Sequence, residues 1–461
     1  MEVKRPRHRD VMALNREYTA EQLDQYLHLF RIEPEVYQEN NVQRGLRDVN
    51  GTGVLVGMTN ISTVNAKKIV NGMKVPCDGE LYYRGYKVND LIAGLRGREQ
   101  FGFEEITYLL LFGELPTSEQ LDKFREMISI NRTLPPHFVR DVIMKAPSRD
   151  IMNSMTRSVL TLASYDDKAE DISLDNVLIQ AIKLISKFSM LSVYAYHSYN
   201  HYELHDSMYI HRPDRSKSMA ENILRMLRPD SSYTELEARA LDAALILHME
   251  HGGGNNSTFT TRVVTSAGSD TYSVIASALC SLKGPKHGGA NIKVMEMMED
   301  LKANVDNTED PQAVRDYLEK ILHKQAFDGS GLIYGVGHAV YSLSDPRAVI
   351  LQEFAEKLAQ EKGMQKEYEL YQTVAENALD LIRKERRIYK GVCVNVDFYS
   401  GFVYKMLNIP VEMYTPIFAM ARVVGWCAHR MEQLVNEDKI MRPAYESNST
   451  IRDYIKLEDR Q

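Results

Sequence analysis

Three glycine-rich turns of this chain carry side chains that could do proton chemistry at a carbon atom. They are GPKHGGAN from Gly284 to Asn291, GVGHAV from Gly335 to Val340 and NVDFYSG from Asn395 to Gly401. Their chemically active members are His287, His338 and Asp397. A carboxylate can take a proton from an activated carbon while imidazoles donate hydrogen bonds to the oxyanions that form. The three turns together predict the centre of an active site.

Each turn also has a simpler interpretation. GPKHGGAN lacks the Gly-Lys-Ser/Thr ending of a nucleotide phosphate loop, and GVGHAV is too short for a dinucleotide-binding fingerprint. Asp397 follows Asn395 just ahead of an apolar helical stretch, where it could cap a helix. A general base would need burial, which raises the pKa of a carboxyl group. The sequence alone leaves both interpretations of Asp397 open.

Arginines are the candidate binding groups for an anionic substrate. With 56 basic and 63 acidic residues the formal net charge is -7, so the chain as a whole attracts neither nucleic acid nor an anionic membrane. Any anion must therefore be held locally. Arg347, Arg422 and Arg442 carry planar guanidinium groups that suit bidentate carboxylate binding. Each of the three could equally be a surface charge.

Two further groups of histidines raise the question of a metal. His248 and His251 end an apolar helical run, but HMEH matches neither HExxH nor HxxEH, which argues against a hydrolytic zinc site. Histidines hydrogen-bonded in the core are the alternative. His197, His201 and His205 are spaced by four and could chelate zinc or nickel from one helix face. The neighbouring tyrosines and polar residues favour a partly exposed helix end, so we predict no metal.

The bulk properties indicate a compartment. Four widely separated cysteines without a CxxC pair suggest neither a disulfide framework nor a zinc ribbon. The basic first ten residues are not followed by an apolar segment, which argues against a targeting peptide. No run of about 18 apolar residues is present, so we expect no transmembrane span. We predict a cytoplasmic protein.

The elements that must position these side chains are mostly helices. Helix starts are predicted where a capping residue precedes proline, or where a capping box precedes an apolar run. These starts are Asp310-Pro311, Asp345-Pro346, Thr415-Pro416, and Thr234 with Glu237 ahead of LEARALDAALILHMEH. Gly284 and Gly363 are predicted C-terminal caps.

Strand-like patterns are few. Thr52 to Met58 and Leu81 to Tyr86 are the candidates, and a helical arm is predicted from Ala20 to Arg31. The chain is therefore predicted to be mainly α-helical.

A longer series of motifs resembles the citrate synthase family. The series contains LYYRGY, FEEITYLLLFGELPT, LHMEHGGGNNSTFTTRVV, GSDTYS, LKGPKHGGAN, GVGHAVYSLSDPRA and NVDFYSG in family order. It spans roughly residues 45 to 445, and so long an ordered series is specific.

The resemblance implies a role for each of the three active groups. Asp397 would take a proton from the methyl group of acetyl-CoA, and His287 would donate a hydrogen bond to the thioester carbonyl. His338 would polarise the ketone of oxaloacetate. No cofactor or metal is implied, because coenzyme A enters as part of a thioester substrate.

The resemblance also implies the substrate contacts. Oxaloacetate would be held by His251, Arg347, Arg422 and Arg442, with Arg442 reaching into a neighbouring subunit. A homodimer is therefore implied, and a hexamer remains open.

Contacts to coenzyme A are predicted at Gly335, Gly337, Ala339, Lys390 and Asn395. Many family members have a basic residue within four positions after the equivalent of His338, whereas this chain reads Ala-Val-Tyr-Ser there. A phosphate contact from that loop is therefore in doubt.

The fold implied is all-α, with a large helical domain and a smaller helical domain that closes over the substrates. The expected boundaries are an N-terminal arm at 1–45, a large domain at 46–288 and 405–461, and a small domain at 289–404.

Three functions stay open within this resemblance. The first is condensation of acetyl-CoA with oxaloacetate and water to citrate and CoA, and the second is a 2-methylcitrate synthase that uses propionyl-CoA. One methylene is worth only about 1 to 3 kcal/mol of discrimination, so the sequence does not separate them. The third is a catalytically weak family member that acts as a binding protein.

Overall fold

The computed structural model describes residues 8–48, 52–70, 72–338, 340–385, 391–436 and 439–460, with the side chains from residue 15 onward except that of residue 74. The chain divides into two compact units. One combines residues 1–57 with 442–461, and the other is residues 58–441. The predicted division into a large and a small catalytic domain remains a prediction.

Helices dominate the described residues, as predicted. The first unit contains α1 (His8–Phe30) and α2 (Pro34–Glu39), with 3-10 turns at Arg44–Leu46 and Leu457–Asp459. The second contains α3 (Val88–Leu95), α4 (Phe103–Phe112), α5 (Ser118–Asn131), α6 (Ile151–Ala163), α7 (Leu174–Glu203), α8 (Met219–Leu227), α9 (Glu235–His248), α10 (Asn256–Ser266), α11 (Thr271–Leu282), α12 (Ala290–Asn304), α13 (Pro311–Leu322), α14 (Pro346–Lys362), α15 (Gln365–Glu385), α16 (Val396–Met406) and α17 (Tyr414–Asn436). A π-helical turn at Val139–Ile143 and a 3-10 turn at Val411–Met413 complete it.

One antiparallel sheet precedes the helices of the second unit. Its strands are β1 (Ser62–Val70), β2 (Met73–Tyr83) and β3 (Tyr86–Lys87), paired in that order. The register of the β1–β2 pairing shifts at a β-bulge between Asn65 and Lys67.

The strand predictions were partly wrong. Thr52 to Met58 forms no strand among the described residues, and Leu81 to Tyr86 covers only the end of β2 and the start of β3. The sequence did not predict the longer hairpin of β1 and β2, because the outer half of this hairpin is exposed and does not alternate between apolar and polar residues. The arm predicted from Ala20 to Arg31 lies within the longer helix α1 except for Arg31, which follows its last residue.

Most helix ends follow the local chemistry. The Thr234 side chain accepts a hydrogen bond from the Glu237 backbone N–H, which completes the predicted capping box of α9. Asp310 and Asp345 cap α13 and α14 as predicted, and Gly363 ends α14 with a φ of 67°.

Two predicted helix ends were wrong. The helix α11 ends at Leu282 with Lys283 as its cap, so Gly284 lies beyond the cap. The helix α17 begins at Tyr414, which places Thr415 and Pro416 inside its first turn. Proline is tolerated there because the first N–H groups of a helix have no partner within it.

The core of the second unit is built around α17, whose buried face packs against both α7 and α9. Among the described residues, α7 is the single helix long and apolar enough to cross a membrane. Of its apolar window, 72% is buried inside the protein.

The buried ion pair between Glu104 and Arg132 provides a test of this packing. Both side chains are 3% exposed, and Glu104 Oε1 accepts Arg132 Nη2 at 2.9 Å and the Met219 N–H at 3.0 Å. We predict that Glu104→Gln lowers the free energy of unfolding by about 3 kcal/mol, because it leaves a buried guanidinium without its counter-ion. Urea denaturation would measure the loss.

The adjacent residue supplies the control. Glu105 pairs with Arg98, which is 36% exposed, so Glu105→Gln should cost no more than about 1 kcal/mol. Equal losses in the two variants would contradict the importance of the buried pair.

Candidate active site

The loop that carries His338 is tied to the segment ahead of α16. The Gly337 N–H donates to the Cys393 carbonyl at 2.8 Å, and the Asn395 N–H donates to the Gly335 carbonyl at 2.9 Å. Gly335 has a φ of 77°, and a Cβ there would lie 2.8 Å from side chains of α12 and α16. Glycine is therefore required for the loop to approach the helices this closely.

Backbone groups determine where the proton of His338 sits. Its Nδ1 accepts the N–H groups of Val340 and Tyr341, each at 3.0 Å. The neutral ring must therefore carry its proton on Nε2. Nε2 lies 3.3 Å from Arg347 Nη2, so two N–H donors face the same space.

Arg347 is held by a buried carboxylate. Asp345 accepts Arg347 Nε at 3.0 Å and Nη2 at 2.8 Å, and the two residues are 1% and 4% exposed. Burial alone would raise the pKa of Asp345, but the charge of Arg347 and the hydrogen bonds that Arg347 donates together outweigh burial, so that pKa is lowered. Asp345 Oδ2 also accepts the Val396 N–H at 3.2 Å, which joins the first turn of α14 to that of α16.

Asp397 lies in this first turn of α16, but it does not cap the helix. The cap is Asn395, whose Oδ1 accepts the Asp397 N–H at 3.0 Å. Asp397 Oδ1 is buried and has no hydrogen-bond partner among the described residues. Burial raises the pKa of Asp397 to about 6, against the opposing charge of Arg347. A carboxylate with this pKa is suited to act as a general base near neutral pH.

His287 is oriented by α10. The Ser257 N–H points at His287 Nε2 from 3.3 Å, and Ser257 Oγ lies 3.0 Å from the same atom. Since the backbone group can only donate, Nε2 is the acceptor and Nδ1 carries the proton. Burial, assisted by the charge of Arg422, lowers the pKa of His287 to about 4. His287 is therefore a neutral hydrogen-bond donor.

Arg422 projects from α17 and is completely buried. Its Nε donates to the His248 carbonyl at 2.6 Å, while Nη1 and Nη2 have no hydrogen-bond partner among the described residues. The guanidinium lies 4.7 Å from the ring centre of Phe418, which also contacts the rings of His248 and His287. Burial lowers the pKa of Arg422 to about 10, so it stays charged at neutral pH.

His251 adjoins His338 across the site, with ring centres 5.2 Å apart. Burial, and then the charge of Arg347, lowers the pKa of His251 well below its usual value. The turn after it is pinned by Glu250, which is fully buried and accepts the Gly252 N–H at 2.6 Å and His429 Nε2 at 2.9 Å.

Sequence reasoning missed Glu250, although an acid between two histidines in HMEH was a visible signal. Burial alone would raise the pKa of Glu250, but His429 and Arg422 hold it at about 2. Glu250 is therefore an anion that partly balances the buried charge of Arg422.

The second unit thus brings together six of the seven side chains predicted to act on substrate, namely His251, His287, His338, Arg347, Asp397 and Arg422. Arg442 belongs to the other unit, where its side chain is exposed.

The predicted contacts to coenzyme A are less fully described. Gly335, Gly337 and Asn395 shape the His338 loop, while Ala339 and Lys390 lie outside the described residues. Their contact with coenzyme A stays a prediction.

The spaced histidines of the α7 region have separate environments. His197 is buried and its Nε2 lies 2.9 Å from the Met226 carbonyl, while His201 Nδ1 lies 2.9 Å from the Asp206 carbonyl. His205 falls beyond the end of α7. Within the described ranges, no group of three or more His, Cys, Asp or Glu side chains is arranged to hold a metal ion.

Comparison with known proteins identifies the family of the chain. The sequence matches the family model described as "Citrate synthase, C-terminal domain" over residues 48–444. The chain belongs to the citrate synthase family. It is 38% identical over 371 residues to a citrate synthase of Synechocystis sp., which covers 79% of this chain and 84% of that protein. The fold and the enzyme class predicted from the sequence are therefore confirmed.

Two further relatives bear on the substrates. A citrate synthase from Thermoplasma acidophilum, solved as a ternary complex with carboxymethyl coenzyme A and oxaloacetate, superposes with a TM-score of 0.75 at 30% identity, covering 90% of this chain and 99% of that one. A 2-methylcitrate synthase of Shewanella oneidensis is 33% identical over 368 residues, covering 79% of this chain and 87% of that protein. The family therefore includes both acyl preferences considered above.

The protonation state of His287 can be tested directly. Because burial lowers its pKa to about 4, the ring should stay neutral, with its proton on Nδ1, between about pH 5.5 and 8. Nitrogen NMR of protein labelled at histidine would report the tautomer, and His287→Gln would identify the signal by removing it. A titration midpoint between about pH 6 and 7 would contradict the assignment.

Proposed function

We propose that this citrate synthase-type enzyme condenses oxaloacetate with acetyl-CoA and water to give citrate and free CoA. One observation carries the proposal. Asp397, a buried carboxyl group of raised pKa, feels the charges of both Arg347 and Arg422, and it shares the site with histidines that present N–H donors. Citrate synthases need no cofactor, so coenzyme A takes part only as a portion of the thioester substrate.

The first step is removal of a proton from the acetyl methyl group. In the proposed reaction Asp397 accepts this proton, and His287 Nδ1–H donates to the thioester oxygen as negative charge develops there. The neutral state of His287 supports this role, since a fixed donor needs no reorganisation when the enolate forms.

The second step forms the carbon–carbon bond. The enolate carbon attacks the ketone of oxaloacetate, whose oxygen accepts a hydrogen bond from His338 Nε2–H as it becomes an alkoxide and is then protonated to the hydroxyl group of citryl-CoA. Arg347, Arg422 and His251 hold the carboxylates, as does Arg442 from a neighbouring subunit. The two unpartnered amino groups of buried Arg422 support this assignment, because a carboxylate would satisfy both.

The third step hydrolyses citryl-CoA in the same site. The proposed small domain, residues 289–404, closes over the large domain during the reaction and excludes water until condensation is complete. The assembly we propose is a homodimer, with a hexamer open, in the cytoplasm. Exposed apolar side chains of α1, among them Leu23, Leu27 and Phe30, support an interface, and the four free cysteines support a reducing compartment.

Thiol release tests the proposed reaction. Purified protein would be mixed with oxaloacetate and either acetyl-CoA or propionyl-CoA, with and without a chelator. Faster thiol release with acetyl-CoA, indifferent to chelator, is the expected result. A preference for propionyl-CoA would instead assign 2-methylcitrate synthase activity, and release with neither thioester would favour the binding protein.

The pH profile tests the role of Asp397. A base must be ionised, so kcat/KM, which reports the free enzyme, should rise with pH through about 6 and level off above it. Asp397→Ala should lower kcat by about three or more orders of magnitude while oxaloacetate binding, followed by calorimetry, remains measurable. Unchanged turnover in this variant would overturn the assignment of the base.

A further inference from the structure

The ring of His338 is fixed at one edge by the backbone, and a tyrosine ring stacks on its face. Tyr341 stacks on it with ring centres 4.6 Å apart and planes inclined by 27°. The same tyrosine meets His251 edge-on at 5.5 Å and 73°. One aromatic ring therefore contacts both histidines that the proposed function assigns to oxaloacetate.

Tyr341 is in turn enclosed by the β1–β2 hairpin. It is 2% exposed and forms a small buried cluster with Ala66 of β1 and Cys393. Ala66 occupies the bulge in the ladder, so the irregular position of β1 is the one that faces this ring.

The strand β2 also holds the loop at Ser344, between Tyr341 and α14, through hydrogen bonds. The Gly79 N–H donates to the Ser344 carbonyl at 3.2 Å, and Ser344 Oγ donates to Asp78 Oδ1 at 3.0 Å. A Cβ on Gly79 would lie 2.5 Å from the Tyr341 ring and 2.2 Å from the Ser344 carbonyl oxygen. The hairpin therefore approaches the loop so closely that a side chain at Gly79 would push on Tyr341 itself.

A donor that stabilises an oxyanion must be aimed before the charge develops. The two backbone hydrogen bonds to Nδ1 define the tautomer of His338, but they lie within one short turn and leave the tilt of the ring to its packing. A misplacement of about 1 Å in such a group can cost on the order of 100-fold in rate.

We propose that Tyr341 is a positioning residue, whose ring, held by the β1–β2 hairpin, sets the plane of His338 and so aims Nε2–H at the ketone of oxaloacetate. This inference rests on the proposed function. It assigns the effect to the aromatic ring and gives the hydroxyl group no part in it.

Two substitutions separate the ring from the hydroxyl. Tyr341→Phe keeps the stack and should retain kcat to within about threefold, whereas Tyr341→Leu should lower kcat by about 100-fold. The KM for acetyl-CoA should stay unchanged in both variants. The ¹³C resonance of the ketone carbon in bound oxaloacetate should move toward its free position only in Tyr341→Leu, because a misaimed donor polarises the carbonyl less.

A variant that leaves Tyr341 in place keeps the test decisive if Tyr341→Leu does not fold. Gly79→Ala should lower kcat by about tenfold and shift the same resonance, because its Cβ presses on the ring. Gly94→Ala is the matched control, since a Cβ there meets nothing within 4 Å, and it should behave as the unmodified enzyme.

The outcomes are distinguishable. An unmodified enzyme that releases no thiol would overturn the proposed function. An active enzyme in which Tyr341→Leu or, failing that, Gly79→Ala leaves both kcat and the resonance unchanged would overturn the positioning role alone. A Tyr341→Phe variant as slow as Tyr341→Leu would also overturn it, since the hydroxyl would then be the active group.

Discussion

The buried pair of Asp345 and Arg347 is the interaction on which the arrangement of the site depends. The Asp345 carboxylate caps α14 and accepts two hydrogen bonds from the Arg347 guanidinium. It also accepts the Val396 N–H at the start of α16. His338 lies directly against this arginine, and Asp397 follows Val396 in the chain. Because both charges are almost fully buried, neither is stable there without the other. His338, the proposed hydrogen-bond donor to the ketone, and Asp397, the proposed base, are thus both positioned by this one ion pair.

Burial, assisted by the buried positive charge around this pair, explains the state of the histidines. Arg347 and Arg422 both lower the pKa of His248 and His251, and Arg422 lowers that of His287. Burial acts in the same direction and is the larger cause in each case. The imidazoles are therefore neutral, and their contacts with the backbone fix the tautomers of His287 and His338. Such groups can donate hydrogen bonds in defined directions without first losing or gaining a proton.

Sequence reasoning was most successful where the cause was local. The caps at Thr234, Asp310 and Asp345 depend on a side chain and a backbone group two or three residues apart, and all three were predictable. The three active-site turns were predictable as well, because glycine and a reactive side chain occur together in each. The hairpin was not, since its outer half is exposed and its inner half packs against residues far away in the chain, among them a loop more than 260 residues away.

The supporting contacts of the site were also beyond the sequence. Ser257 orients His287 from 30 residues away, whereas Glu250 and Tyr341 contact close neighbours in the chain but are held in place by distant residues. These residues make no local pattern that differs from an ordinary helix or turn. Only the acid in HMEH was conspicuous, and its partner His429 is 179 residues away.

The same electrostatics suggest how the two proposed substrates depend on each other. Burial, aided by the charge of Asp345, keeps the pKa of Asp397 near 6 although Arg347 and Arg422 lower it. In the proposed reaction the carboxylates of oxaloacetate neutralise these two arginines. Their lowering effect on Asp397 then weakens, so its pKa rises and it becomes a stronger base. In this scheme oxaloacetate is more than the acceptor of the enolate. By binding the arginines it strengthens the base that must take a proton from the weakly acidic methyl group.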